Sequence, residues 1–105
     1  DLALLRQRNA SKNYKAAITL AEKALQTKDS KSFYAALESA LIGYLSDKTN
    51  LEFRGMLRNT RETALRENKV SEENISKIES WLEKCSAGRF LPMAAETENN
   101  RVLQE

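Results

Sequence analysis

The 105 residues of this chain are enough for one domain with a single modest core and too few for two independent ones. Only 3 Gly and 1 Pro are present, with 41% hydrophobic and 30% charged residues, which argues against disorder and against a turn-rich all-β fold. A net charge of +2 is too close to neutral to indicate a nucleic-acid partner, and no apolar run could span a bilayer.

The first predicted helix runs from Leu2 to Lys28, since apolar side chains recur at helical spacing without an interrupting Gly or Pro. Six basic and two acidic side chains lie between Asp1 and Lys28, a net charge of +4. The excess has two interpretations: a solvated helix face, or a juxtamembrane segment held on the cytoplasmic side by its Lys and Arg side chains. In the second case, residues 1–9 are a juxtamembrane extension of this helix.

The second predicted helix starts at Asp29 or Ser30, because a short side-chain oxygen there can accept a hydrogen bond from a free amide of the first turn. It continues to Lys48, and the tight connection makes the first two helices an antiparallel hairpin. Its apolar stripe follows the positions i, i+3, i+4, i+7, i+8, i+11 and i+12 and consists of Phe33, Ala36, Leu37, Ala40, Leu41, Tyr44 and Leu45.

The third predicted helix, from near Met56 to Asn68, follows a polar connection in which Leu51 and Phe53 are expected to tuck under the hairpin. Arg61 occupies a position where the apolar stripe of this helix requires an apolar residue, so the element is the least regular of the four. Its predicted inner face consists of Met56, Leu57, Ala64 and Leu65.

The fourth predicted helix has a recognisable start, with Ser71 as N-cap and a hydrophobic staple between Val70 and Ile75. Gly88 is expected to end it in the left-handed conformation, and Pro92 would prevent the helix from resuming. Its carboxylates are expected on the outer, solvated side: Glu72, Glu73, Glu79 and Glu83. Its predicted inner face consists of Ile75, Ile78, Trp81, Leu82 and Cys85.

The predicted fold is therefore all-α: a helical domain over residues 1–92, with an antiparallel hairpin of two long helices packed on a shorter helical pair. Residues 93–105 are a polar trailing segment, either a short helix or a partly ordered tail. The predicted core comprises Tyr14, Ala17, Ile18, Ala21, Leu25, Phe33, Leu37, Leu41, Tyr44, Leu45, Leu65, Ile75, Ile78, Trp81, Leu82 and Phe90.

The residue types that carry chemistry are scarce, and the sequence predicts no catalytic, cofactor or metal site and no small-molecule substrate. Histidine is absent, which removes the commonest general base and zinc ligand. Cys85 is the single cysteine and lies on an apolar helix face, which is typical of a buried structural thiol. No glycine-rich phosphate-binding motif is present.

Residues 65–76 support an alternative, a DNA-binding helix-turn-helix, because Val70, Ser71 and Ile75 match its turn and second-helix anchor. The chemistry opposes this function. The first turn of the second helix would present Glu72 and Glu73 to a polyanion, which repels them. The sequence therefore favours a packing motif here, with nucleic-acid binding as the alternative.

Several short sequence segments, taken in order, resemble the helical domain that ends BatD-type oxygen-tolerance (aerotolerance) proteins. They are Asp29 with Phe33-Tyr34-Ala35-Ala36-Leu37, Tyr44-Leu45, Asp47-Lys48, Val70-Ser71-Glu72-Glu73, Trp81-Leu82, Cys85, Arg89-Phe90 and Pro92. The chain departs from that family at Lys69, where Gly is usual, at Ser86-Ala87-Gly88 after the cysteine, and over residues 51–64.

The resemblance implies a non-catalytic protein–protein interaction domain on the cytoplasmic face of the bacterial inner membrane, in a single-pass protein whose membrane segment lies outside this chain. It also implies protein partners, namely von Willebrand-type membrane proteins and a MoxR-type AAA ATPase, in envelope stress or assembly. The apolar run after the fourth helix more often caps a core than binds a partner. As a candidate partner surface it comprises Arg89, Phe90, Leu91, Pro92 and Met93.

Overall fold

Four α-helices account for most of residues 1–90, the part of the chain that the computed structural model describes. They are α1 (Leu2–Gln26), α2 (Ser30–Thr49), α3 (Arg58–Glu67) and α4 (Glu72–Phe90). α1 packs along α2 as an antiparallel hairpin, α4 packs on α2, and α3 packs on α4. The predicted all-α class is confirmed. Within the described range, no helix is both long and apolar enough to cross a membrane.

The α1–α2 turn is closed by backbone and side-chain hydrogen bonds. Lys28 adopts a left-handed conformation (φ 61°), and the N–H of Asp29 donates to the carbonyl of Ala24 at 3.0 Å. The Asp29 carboxylate accepts from the N–H of Ser32 at 3.1 Å, which confirms Asp29 as the N-cap of α2. Hydrogen bonding from the side chain of Ser32, and then from its backbone N–H, holds the pKa of Asp29 below its usual range. The prediction for the first helix was two residues too long, because the chain leaves the helical conformation after Gln26.

Phe53 anchors the connection between α2 and α3. Its side chain is fully buried, and its N–H donates to the buried hydroxyl of Ser46 at 3.1 Å, so the chain folds back against the end of α2. The prediction for Phe53 is confirmed. The prediction for Leu51 was wrong, because the left-handed residue Asn50 ends α2 and leaves the Leu51 side chain 38% exposed.

The core consists of two clusters. One gathers Ala21, Phe33, Tyr34 and Cys85 where α1, α2 and α4 meet, and the other gathers Leu45, Phe53, Ala64, Leu65 and Ile75 around α3. Of the predicted core, Ala21, Phe33, Leu41, Leu45, Leu65, Ile75 and Leu82 are buried. Seven more are half-buried: Tyr14, Ala17, Ile18, Leu25, Leu37, Tyr44 and Ile78.

Two predicted core residues are exposed: Trp81 to 36% and Phe90 to 70%. Both lie on α4, whose buried face is narrow and consists of Ile75, Glu79, Leu82, Cys85 and Gly88. Tyr34 was missed as a core residue, although it is fully buried and its ring lies edge-on to that of Phe33 at 5.0 Å.

Gly88 does not end the fourth helix, so that prediction was wrong. α4 continues to Phe90, and Gly88 is buried inside it. A Cβ atom at this position would overlap three carbon atoms of the Tyr34 ring. The glycine is therefore explained by the close approach of α4 to α2 and not by a turn.

The α3–α4 turn has the predicted N-cap and an additional left-handed residue. The hydroxyl of Ser71 accepts from the N–H of Asn74 at 3.2 Å, and Val70 packs against the cluster that contains Ile75. Lys69 has φ 63°, and the N–H of Val70 donates to the carbonyl of Leu65 at 3.0 Å, as in a helix end that favours glycine.

We expect Lys69→Gly to raise the free energy of unfolding by about 0.5–1 kcal/mol, because glycine adopts the left-handed conformation without steric cost. This gain is the relief of backbone strain less the extra freedom of glycine in the unfolded chain. Urea denaturation measures it. Lys77→Gly, within α4 and also exposed, is the control and should lower stability by about 1 kcal/mol. A loss of stability in both variants would contradict the prediction.

Candidate functional site

The predicted partner surface is only partly within the described residues, because Leu91, Pro92 and Met93 lie outside them. Arg89 and Phe90 form the last turn of α4. One guanidinium nitrogen of Arg89 lies 3.4 Å from a carboxylate oxygen of Glu38, and its central carbon lies 4.9 Å from the centroid of the exposed Phe90 ring. At this end of α4, Phe90 presents an apolar side chain to solvent and does not cap the core.

Cys85 is buried against Ala21, Phe33 and Tyr34. Burial, assisted by the negative charge of Glu38, raises the pKa of its thiol to about 12, while Arg89 opposes the shift. A thiol that stays protonated at neutral pH is a poor nucleophile and a poor metal ligand. The structure therefore supports a packing role for this cysteine.

We expect the thiol of native Cys85 to react with a maleimide at pH 8 at least about a thousandfold more slowly than in the unfolded chain, because its thiolate fraction is that much smaller. Mass spectrometry after timed quenching measures the rate. Ser80→Cys, which adds an exposed thiol on the same helix, is the control, and one maleimide per chain should react rapidly with it. Fast labelling of the unmodified protein would contradict the burial of Cys85.

A buried ion pair joins α3 to α4. The Nε atom of Arg61 donates to Oε2 of Glu79 at 2.6 Å, and its Nη2 atom donates to Oε1 in a second short contact. The Nη1 atom donates to the carbonyl of Met56 at 3.2 Å. Hydrogen bonding to Glu79 raises the pKa of Arg61 above its ordinary value. This bidentate pair holds α3 against α4.

The expectation that Glu79 lies on the solvated side was wrong, since this residue is 2% exposed. The sequence contained a sign of the pair, namely Arg61 at a position where the stripe of α3 requires an apolar residue. A buried carboxylate within reach satisfies that arginine, and Arg58 adds a weaker contact, 3.7 Å from Glu79 and 3.0 Å from Glu62. Both oxygens of Glu79 are engaged, which leaves it unsuited to act as a general base.

The start of α4 is acidic and exposed, contrary to what a recognition helix needs. Arg66 donates to both carboxylate oxygens of Glu72, at 2.8 and 3.0 Å, and this hydrogen bonding lowers the pKa of Glu72. Glu73 beside it has a side chain 80% exposed and lies 3.6 Å from Lys77. This geometry gives phosphate groups no favourable contact at the first turn.

The leucine tip, formed by Leu2, Leu4 and Leu5, is exposed at the start of α1. Arg6 marks the point where α1 meets the end of α2, because its guanidinium donates to Asp47 at 3.3 Å and to Asn50 at 3.0 Å. The residues before Arg6 therefore project beyond α2. The leucines are 79%, 57% and 49% exposed, so apolar surface is concentrated at this end of α1.

A groove of about 370 Å³ runs along one side of the hairpin, named here the α1–α2 groove. Its α2 side offers mostly small side chains, and Leu20 of α1, 63% exposed, forms one edge. The rings of Tyr14 and Tyr44 meet at 5.4 Å within it, and burial raises the pKa of Tyr14. The groove is lined by Asn13, Tyr14, Ala17, Leu20, Ala36, Ser39, Ala40, Gly43, Tyr44, Asp47 and Arg54.

No metal-binding cluster of three or more acidic, cysteine or histidine side chains occurs among residues 1–90. Comparison of the chain with family models, with curated proteins and with solved structures gives no match.

Proposed function

We propose that this chain is a non-catalytic protein-interaction domain, held at the cytoplasmic face of a bacterial inner membrane as part of a single-pass BatD-type aerotolerance protein. The proposal starts from the short sequence segments between Asp29 and Pro92 that resemble this family and occur in the same order. It adds that the membrane segment lies outside the chain and that von Willebrand-type membrane proteins and a MoxR-type AAA ATPase are partners.

The leucine tip is the observation that carries the proposal. Leu2, Leu4 and Leu5 expose apolar surface on a helix that also bears Arg8 and Lys12 on exposed positions. Apolar residues next to basic ones suit the boundary between hydrocarbon and anionic headgroups. A helix end of this composition supports a position of the domain immediately below a bilayer.

The side chains among residues 1–90 that could take part in a reaction support a non-catalytic domain. Cys85 is kept protonated by burial, and both oxygens of Glu79 are bound by Arg61. The exposed carboxylates at the start of α4 are paired with Arg66 and Lys77. Such groups stabilise the fold and leave its surface free for protein contacts.

The experiment is a pull-down of the intact membrane protein from detergent-solubilised membranes, with and without Phe90→Asp. Recovery of an ATPase or a von Willebrand-type subunit by the unmodified protein is expected, and Phe90→Asp should reduce it several-fold because it places a charge on the candidate surface. Leu57→Asp is the matched control, since Leu57, just before α3, is 77% exposed and Phe90 is 70% exposed.

Two outcomes would reject the proposal: no such subunit recovered with the unmodified protein, or equal losses with both variants. The nucleic-acid alternative is tested separately by a gel shift at low salt, where even nonspecific binding is strong. We expect no shift, because Glu72 and Glu73 occupy the first turn of α4.

A further inference from the structure

We propose that the outward face of α1 binds directly to the surface of an anionic lipid bilayer. Leu4 and Leu5 of the leucine tip then lie at the edge of the hydrocarbon, and the basic side chains that follow them lie among the headgroups. The inference rests on the proposed function for the location of the domain at a membrane, and it adds lipid as a partner of the domain itself.

Leucine and basic side chains share one face of α1. Five exposed side chains fall within an arc of about 100°, at about 100° per residue. The two leucines stand at one end of this face, and the last lysine lies roughly 16 Å further along the helix axis. A single flat surface can therefore contact the whole set, which consists of Leu4, Leu5, Arg8, Lys12 and Lys15.

The described part of the fold leaves this face uncovered. α1 packs along α2, and Arg6, about 160° around the helix from Arg8, is the basic side chain that reaches Asp47. The side chains of Arg8, Lys12 and Lys15 have no ion-pair partner among residues 1–90. These three charges are therefore available to an anion outside the domain.

The charge along this face has one sign. α1 contains no acidic residue before Glu22. The carboxylate of Asp1, just before the helix, accepts a hydrogen bond from the N–H of Ala3 at 3.0 Å. Each basic side chain near an anionic bilayer strengthens binding about fivefold, so three of them strengthen it roughly a hundredfold.

The leucines favour a bilayer over other polyanions. Nucleic acid offers phosphates to the basic side chains, but its backbone leaves Leu4 and Leu5, 57% and 49% exposed, in water. The surface of a bilayer offers anionic headgroups and hydrocarbon within a few ångströms of each other. Only such a surface both pairs the charges and removes the apolar side chains from water.

The test is co-sedimentation of the 105-residue chain with sucrose-loaded vesicles at low salt. We expect binding to vesicles of phosphatidylglycerol and phosphatidylcholine in equal parts, and at least about tenfold weaker binding to phosphatidylcholine alone. A DNA duplex at the same phosphate concentration should also bind at least about tenfold more weakly, since it gives the leucines no apolar contact. No binding to the mixed vesicles, or equal binding to either alternative, would overturn the proposal.

Two variants separate the charges from the leucines. Arg8→Gln with Lys12→Gln and Lys15→Gln should weaken binding to the mixed vesicles roughly a hundredfold. Leu4→Ser with Leu5→Ser keeps the charges and should weaken binding at least about tenfold, because less apolar surface leaves water. All five side chains are exposed, so both variants should retain the helical circular dichroism of the unmodified chain.

The matched control removes three exposed positive charges elsewhere, by Lys31→Gln with Lys69→Gln and Lys77→Gln. It lowers the net charge by the same amount, and binding to the mixed vesicles should change by less than about threefold, because these charges do not lie on the bound face. Equal losses in the two triple variants would show that net charge acts rather than the face of α1, and would reject the proposal.

A fluorescent label shows which face meets the lipid. Ser11→Cys is exposed and lies about 20° around α1 from Leu4, and Ser76→Cys is exposed on α4. Cys85 is buried, so a solvent-sensitive nitrobenzoxadiazole label reacts with the added thiol. With mixed vesicles, we expect a blue shift and brighter emission at Ser11→Cys and neither at Ser76→Cys. An equal response at both positions, or none at Ser11→Cys, would contradict the proposed orientation.

The inference and the proposed function fail separately, because the vesicles test the chain alone and the pull-down tests partners of the intact membrane protein. A recovered subunit without vesicle binding would overturn the lipid contact and leave the interaction domain supported. Vesicle binding through α1 without a recovered subunit would support the lipid contact and reject the proposed function.

Discussion

Replacing Glu79 by alanine is expected to lower the free energy of unfolding by about 3–5 kcal/mol, because it leaves the guanidinium of Arg61 largely buried without its carboxylate. The side chain of Arg61 is only 14% exposed, and two of its nitrogens donate to Glu79. Since small domains are stable by roughly 5–15 kcal/mol, this loss is a large part of the total. Urea denaturation followed by circular dichroism measures it.

The double variant Arg61→Met with Glu79→Leu separates two costs: the loss of the attraction between the two side chains, and the burial of the Arg61 charge without a partner. Replacing a buried ion pair by apolar residues of similar volume is often neutral or stabilising, so the double variant should recover most of the loss. Glu83→Ala, one turn further along α4 and exposed, is the control and should change stability by less than about 0.5 kcal/mol. A cost below about 1 kcal/mol for Glu79→Ala would show that water reaches the pair.

Helix-forming patterns predicted the elements well because they are local. The stripe from Phe33 to Leu45 defines α2, and the side-chain oxygens of Asp29 and Ser71 accept the hydrogen bonds that their N-cap positions predict. The helix ends were less accurate. Glycine is the residue type that commonly ends a helix, but Gly88 is required by its contact with Tyr34, which lies 54 positions earlier in the chain.

Pairing between helices is what the sequence could not provide. Arg61 interrupted a stripe, yet nothing local identified Glu79 as its partner among four carboxylates of α4. The exposure of Trp81 could not be predicted for the same reason. How much of α4 is buried depends on which helices pack against it, and its own sequence does not specify them. The candidate partner surface was predicted from residues 89–93, of which the structure describes Arg89 and Phe90 alone.

Gly88→Ala is expected to lower the free energy of unfolding by about 2–3 kcal/mol, although alanine is the better helix former. The added methyl group would overlap the ring of Tyr34, which is fully buried and edge-on to Phe33. α4 must then move away from α2, and overpacking of this kind costs more than the gain of up to about 1 kcal/mol in helix propensity.

The matched control is Gly43→Ala, the same substitution in a helix of the same domain. A Cβ atom at Gly43 meets no atom within 4 Å, so only helix propensity acts and stability should rise by about 0.5–1 kcal/mol. Opposite signs for the two variants in urea denaturation would show that close packing, and not a turn, requires Gly88. If Gly88→Ala also stabilised the protein, the contact between α4 and Tyr34 would be looser than described, and α4 would be free to accept a bulkier residue at this position, as an ordinary helix end does.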